Sequence, residues 1–298
     1  MAVVDVRGIT KSFRSVRAVD DLSLSVPQGT ITGFLGPNGA GKSTTIRMIM
    51  SILRPDTGRI DVLGGDAWTR KDRIGYLPEE RGVYRKMKVE DFLAFIAKLK
   101  GVTRRGMAER IQQWLERIEL PHVAKMRCED LSKGMQQKVQ FAAALVHEPD
   151  LVILDEPFSG LDPVNADVLH GLIVSLRDEG RTVIFSTHVL HQAERICDRF
   201  VLINGGRKLL DSTIGEMRTQ FAPRTVRVEF LAPVEELAIP GVERATGNGR
   251  DWRLLLAPDS DPQEVVARVT GFAPVRLVEL GQVSVEEVFR QLVAEARS

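Results

Sequence analysis

Residues 33–45 read GFLGPNGAGKSTT, and every later assignment leans on them. The stretch fits G-x-x-x-x-G-K-[ST] at Gly36, Gly41, Lys42 and Ser43. Its surroundings suit the pattern: Ile31 to Leu35 predicts a short buried strand, and Thr44 to Leu53 a helix with Ile46, Ile49, Met50 and Leu53 on one side. Glycines let a backbone curl tightly around an anion, because a Cβ would block both the turn and the close approach. The curled backbone and the helix start then aim unsatisfied N–H groups at phosphate. In such a loop Lys42 reaches the β and γ phosphates, and the Ser43 hydroxyl ligates Mg²⁺.

Moving outward, composition narrows the function classes. A net charge of +1 over 298 residues argues neither strongly for nor strongly against nucleic acid, and no direct nucleic-acid partner is expected. Cys128 and Cys197 are the only cysteines, too few for a disulfide framework, and point to a reducing compartment. MAVVDVRGITKSF at the start lacks the apolar core of a signal peptide, and no run of apolar residues is long enough to span a membrane. The chain therefore reads as soluble by itself, so that any membrane role needs a partner.

Before the loop, Val3, Val4 and Val6 begin one strand, and Asp20 to Val26 alternates as a second. Phe13 falls in a turn-rich segment between them. It is either an aromatic that stacks on adenine or a core phenylalanine. After the loop, short strands are expected at Arg59 to Leu63 and Ile74 to Leu77. From Met87 the period becomes helical, with Val89, Phe92, Leu93, Ile96 and Leu99, then Met107, Ile111, Leu115 and Ile118. This predicts a helical insertion over about residues 82–145. Near its end, Ser132 and Gly134 stand just before a helix, where a hydroxyl and backbone N–H groups face outward.

Leu151 to Leu154 is a continuous apolar run, as expected of a central parallel strand covered on both faces. It delivers Asp155 and Glu156 at its carboxyl end, where open α/β sheets hold their ligands. Asp155 suits a Mg²⁺ ion, and Glu156 suits polarisation of an attacking water. A further apolar strand, Thr182 to Ser186, delivers Thr187 and His188, whose neutral imidazole suits a γ-phosphate or the water. His188 and His191 are three apart on an expected helix, without a third ligand that would make a metal site.

These motifs together resemble the ATP-binding subunit of an ATP-binding cassette (ABC) transporter over roughly Val3 to Ser212. The family's Walker A motif matches Gly36, Pro37, Asn38, Gly39, Ala40, Gly41, Lys42, Ser43 and Thr44, and its Walker B motif matches Leu151 to Glu156. The signature resembles Leu131 to Gln136, with Lys133 where glycine is commoner and Met135-Gln136 displacing the usual Gly-Gln ending. Ser159-Gly160-Leu161-Asp162 resembles the D-loop, His188 the switch histidine, and Phe13 the adenine-stacking aromatic. A family glutamine that touches Mg²⁺ is replaced here by Glu79, within Gly75-Tyr76-Leu77-Pro78-Glu79-Glu80. The resemblance implies an ATPase of P-loop α/β fold using ATP and Mg²⁺. It implies catalytic roles for Glu156, His188 and Lys42, metal ligation by Ser43, Glu79 and Asp155, and nucleotide contacts from the Walker A residues, Phe13, Ser132, Gly134 and Asp162. It also implies an integral-membrane permease partner, a homodimer or a closely related second ATPase subunit, and a cytoplasmic, membrane-peripheral location. ATP in this family is sandwiched between the loop of one subunit and the signature of another. DNA-repair or chromosome-organising ATPases insert a long coiled coil, which this insertion lacks, and translation-associated members carry two cassettes per chain.

From Thr213 the pattern stops serving a nucleotide. Strands are expected at Thr225 to Leu231, Val242 to Ala245 and Trp252 to Ala257, the last two joined through the hairpin signal Gly247-Asn248-Gly249. A short apolar helix is expected at Val234 to Leu237 and a strand at Val275 to Leu280. Capping signals at Asp261 and at Ser284 with Glu287 predict two more helix starts. The order suggests a small ferredoxin-like α+β accessory domain, resembling the C-terminal extension of export-type cassette proteins such as sodium-efflux and drug-resistance ATPases. We thus expect an ATP-binding domain over 1–219, an accessory domain over 220–298 and a linker at Gln220 to Arg224.

Overall fold

The computed structural model describes residues 2–80, 82–221, 225–257, 259–281 and 283–296. The chain divides into two compact units, Met1–Ile214 with Leu292–Ser298, and Gly215–Gln291.

The first unit starts with the antiparallel pair β1 (Ala2–Phe13) and β2 (Val16–Pro27). Phe13 ends β1 and pairs with Val16 rather than lying in a turn, so β2 begins earlier than the expected Asp20. The loop strand β3 (Ile31–Leu35) is wholly buried, and α1 (Lys42–Ile49) follows the glycine-rich loop. This helix stops short of the expected Leu53. Ser51 takes a left-handed φ of 55° and spends its hydroxyl on Asp66, which ends the helical run. β4 (Thr57–Val62) pairs with β1 to complete the three-stranded sheet β2-β1-β4.

β5 (Ile74–Leu77) leads into the helices α2 (Val89–Leu99), α3 (Met107–Arg117) and α4 (Lys133–Leu145). The first two turn an apolar stripe inward, Val89, Phe92, Leu93 and Ala97 on α2 and Met107, Ile111, Trp114 and Leu115 on α3, whereas α4 is buried without a break from Gln137 to Leu145. The chain then alternates β6 (Leu151–Asp155), α5 (Pro163–Asp178), β7 (Thr182–Thr187), α6 (Leu190–Ile196), β8 (Arg199–Asn204) and β9 (Arg207–Thr213). The six-stranded sheet runs β5-β6-β7-β3-β8-β9, parallel except for the β8–β9 hairpin. β3, β6 and β7 are buried along their whole length, which explains the apolar run Leu151–Leu154 and the apolar centres of the other two strands. Side chains of β1, β2, α1 and the six-stranded sheet share one core, including Val4, Leu22, Phe34, Ile46 and Ile184.

The helix α7 (Ile214–Gln220) follows. Of the expected linker, residues 222–224 lie outside the described residues. The second unit holds β10 (Thr225–Val234), β11 (Val242–Leu256), α8 (Pro262–Phe272), β12 (Val275–Leu280) and the start of α9 (Val285–Glu295). Its antiparallel sheet runs β11-β10-β12. β11 folds back on itself, since Ala257 N–H donates to Gly241 O at 2.9 Å and Thr246 Oγ1 to Arg253 O at 3.2 Å. That is the hairpin the Gly-Asn-Gly signal predicts.

The helix expected at Val234 to Leu237 does not form. Four residues cannot nucleate a helix without help, and Pro233 and Pro240 bracket the segment. Leu237 and Ile239, two apart, are instead buried in the small core with Val226, Phe230 and Trp252. Both expected caps are present: Asp261 accepts from Gln263 N–H at 2.8 Å, and Ser284 and Glu287 exchange backbone-to-side-chain bonds at 2.9 and 3.2 Å.

Candidate active site

Strand register assembles the site. In β3 and β7, Leu35 pairs with Thr187; in β7 and β6, Ser186 pairs with Asp155. Three neighbouring strands therefore end together, and the residues after them, from Gly36, Glu156 and His188 onward, emerge side by side.

The loop after β3 is shaped by two glycines. Gly36 has φ 156°, and a Cβ on it would lie 2.1 Å from Ile203 O. Gly41 has φ 103°, and its Cβ would lie 2.5 Å from Ala18 O. No side chain larger than hydrogen fits either place. Gly41 also caps α1 without a side-chain bond, leaving first-turn N–H groups for an outside anion. Pro37, Asn38, Gly39 and Ala40 form the arch, closed by an Ala40 N–H bond to Pro37 O at 3.1 Å, and Thr44 lies within α1. Lys42 is buried at the arch centre, its Nζ donating to Gly36 O at 2.8 Å and Pro37 O at 3.2 Å and standing 3.6 Å from Glu156 Oε1.

Beside the loop, Asp155 Oδ1 accepts from Ser43 Oγ at 3.1 Å and from Ser186 Oγ. Its Oδ2 is buried with no hydrogen-bond partner. A buried carboxylate oxygen left open next to a serine hydroxyl fits a hard divalent cation whose other ligands come from phosphate and water. Glu156 occupies the left-handed region at φ 50°, held there by its own N–H bond to Ser186 Oγ at 3.1 Å. Its Oε1 meets His188 Nδ1 at 3.0 Å. His188 precedes α6, whereas His191 lies within it, so the two do not share the helix expected from sequence.

Tyr76 on β5 is half-buried, and burial followed by the charge of Asp155 pushes its phenol above the ordinary value. Glu79, two residues beyond Leu77, is exposed in the bend that follows β5, whose last residue, Leu77, pairs with Leu154. Phe13 is 45% exposed at the β1–β2 hairpin, and β2 runs on from there to Ala18 against the loop. Ser132 and Gly134 form a separate group. Ser132 caps α4 by accepting from Met135 N–H at 3.3 Å, and a Cβ on Gly134 would lie 3.5 Å from Asn165 Nδ2 and 3.6 Å from Leu161. Gly134 thus sits inside the first turn, not before it. Asp162 caps α5, and the bond from Asn165 N–H, followed by that from the Asn165 amide, holds its carboxyl below the ordinary range.

Known proteins match this arrangement. The family described as ABC transporter matches residues 19–159, and the family described as ATP-binding protein DrrA1-3-like, C-terminal domain, matches residues 213–293. The ABC transporter ATP-binding protein YhaQ of Bacillus subtilis is 37% identical, with 96% of each chain covered. The chain belongs to the ABC transporter ATP-binding proteins. Two other relatives of this family are the Nod factor export ATP-binding protein I of Rhizobium sp. (strain N33), 33% identical over 97% of this chain and 96% of its own, and the daunorubicin/doxorubicin resistance ATP-binding protein DrrA of Streptomyces peucetius, 32% identical over 97% and 92%. A solved ATP-binding subunit of an ABC transporter superposes with a TM-score of 0.69 at 31% identity, covering 74% of this chain and 93% of that one.

This ABC protein is an ATPase that binds ATP and couples its hydrolysis to transport. Its chain also contains contacts that sequence reasoning overlooks. Ser186, fully buried, joins Asp155 to the Glu156 backbone. Gln137 donates to Pro157 O at 3.1 Å, tying α4 to the residue after Glu156. The signal in the sequence is a serine that follows the apolar run Val183–Phe185, directly before Thr187-His188.

Proposed function

We propose that this chain is the ATP-hydrolysing half of an export system. It drives a separate integral-membrane permease and lies against the inner face of the membrane through it. The observation that carries the reading is the convergence of Lys42, Ser43, Asp155, Glu156 and His188 at adjoining strand ends, while Ser132 and Gly134 belong to the start of α4, with Gly134 beside Leu161 and Asn165. One chain thus holds two half-sites, which a second copy completes.

In this reading residues 1–219 are the ATP-binding domain and 220–298 the accessory domain. The loop from Gly36 to Thr44 cradles the phosphates, with Lys42 on the β and γ oxygens and Phe13 against adenine. Ser43, Asp155 and Glu79 hold Mg²⁺, which when bound offsets charge developing on the phosphates. Glu156 orients and deprotonates the attacking water, and His188 hydrogen-bonds the γ-phosphate. Ser132 and Gly134 of a second copy cap that phosphate from the other side, and Asp162 links the paired sites. Export is supported by the similarity to Nod factor export and drug-resistance ATP-binding proteins.

Assembly gives the test. With Glu156→Gln, ATP and Mg²⁺ should double the mass seen by light scattering relative to the same chain in ADP. Equal masses in both nucleotides would sink the sandwich. Metal placement has its own check. Glu79→Gln should shift the Mg²⁺ dependence of turnover most at low Mg²⁺, with Glu80→Gln smaller, since Glu80 stands one residue further along the bend from the end of β5. A larger shift for Glu80→Gln would move the role to that residue.

A further inference from the structure

The turn after α1 carries a surface that the ATPase chemistry does not use. Ser51 Oγ donates to Asp66 Oδ1 at 2.7 Å, and the same oxygen accepts from Trp68 N–H at 2.8 Å. These bonds tie the turn to the 3-10 segment Ala67–Arg73 and bring two exposed apolar side chains onto adjoining pieces of chain. Ile52 is 56% exposed and Trp68 67%. Alongside lies an open cavity of about 560 Å³, with Met48, Leu53, Ile60 and Val62 among its apolar walls and the exposed Arg54 and Arg59 also lining it.

Charge on this surface is mostly unspent. Among the described residues, Arg54 and Arg59 make no hydrogen bond or ion pair. The Lys71 ammonium stands 4.9 Å from the centre of the Trp68 ring. Asp66 also lines the cavity and faces Arg54, so its negative charge offsets part of this positive charge. A single exposed apolar residue needs no explanation. An exposed indole beside three cations and an apolar-walled cavity, with an exposed isoleucine one residue before the cavity-lining Leu53, is a different composition. The indole suits a water–hydrocarbon boundary, guanidinium suits phosphate esters, and the apolar walls suit acyl chain.

We propose that this surface rests on an anionic phospholipid leaflet, with Trp68 and Ile52 at the headgroup level and Arg54, Arg59 and Lys71 on lipid phosphates. The inference rests on the reading that the chain works beside a membrane, and it gives that location a lipid chemistry of its own. Of the three tryptophans, Trp114 and Trp252 are only 4% and 8% exposed, so Trp68 reports alone on solvent polarity.

The test uses the full chain without nucleotide or permease. Vesicles half phosphatidylglycerol and half phosphatidylcholine should blue-shift the fluorescence and float the protein, less so as salt rises. Pure phosphatidylcholine should do neither. Arg54→Ser and Arg59→Ser should each weaken binding about fivefold, and Trp68→Ala should abolish the shift and reduce flotation. ATP hydrolysis, measured separately, should be unchanged in all three. No flotation with the anionic vesicles, or flotation untouched by these substitutions, would overturn the proposal. So would inorganic phosphate alone reproducing the blue shift, which would make the surface a free-anion site. None of these outcomes depends on turnover, so the ATPase reading stands or falls apart from them.

Discussion

With Glu156→Gln the chain should bind ATP as the parent does and hydrolyse it roughly 10²–10⁴-fold more slowly, the range typical of lost acid–base help. Glutamine keeps the length and planarity of glutamate, so the left-handed backbone at φ 50° and its bond to Ser186 can persist. What goes is the acceptor charge that meets His188 at 3.0 Å and Lys42 at 3.6 Å. A neutral amide cannot take a proton from water. Phosphate release gives the rate and calorimetry the affinity; turnover within twofold of the parent would remove Glu156 from its role.

Lys42→Ala should act on binding instead. Its ammonium is the one cation within the arch contacts described, donating to Gly36 O and Pro37 O. A charged hydrogen bond contributes about 1.5–3 kcal/mol, so ATP affinity should fall by roughly 10- to 100-fold. The substitution also strips Glu156 of its nearest ammonium, leaving a buried carboxylate with His188 alone. Calorimetry of ATP binding without turnover measures the effect. An unchanged dissociation constant would mean that the phosphates sit elsewhere.

Much of this site is legible in sequence because its chemistry is forced onto few residue types. Gly36 and Gly41 cannot be replaced without collision, and an unbroken apolar run ending in Asp155-Glu156 has few structural meanings. What escapes the sequence is contact between strands. Nothing in Thr182 to Ser186 says that Ser186 pairs with Asp155, because register is fixed by the whole sheet. The end of α1 escapes for a related reason. Met50 and Leu53 continue the helical period, but a bond from Ser51 to Asp66, fifteen residues on, outweighs it. At Val234 to Leu237 a local apolar cluster mimics a helix, while the core it joins takes every second residue, as an extended chain presents them.

The phosphate arch is gripped from two sides by neighbouring backbone: Ile203 O on β8 at Gly36, and Ala18 O on β2 at Gly41. The two carbonyls belong to different sheets. Ordering of the arch is therefore settled when the sheets form and is not charged again to nucleotide capture. Grip strength becomes a property inherited from the scaffold. A cavity opened beneath β2 or a loosened β8–β9 hairpin would surface as poorer ATP retention, and could be mistaken for a defect at the phosphates themselves.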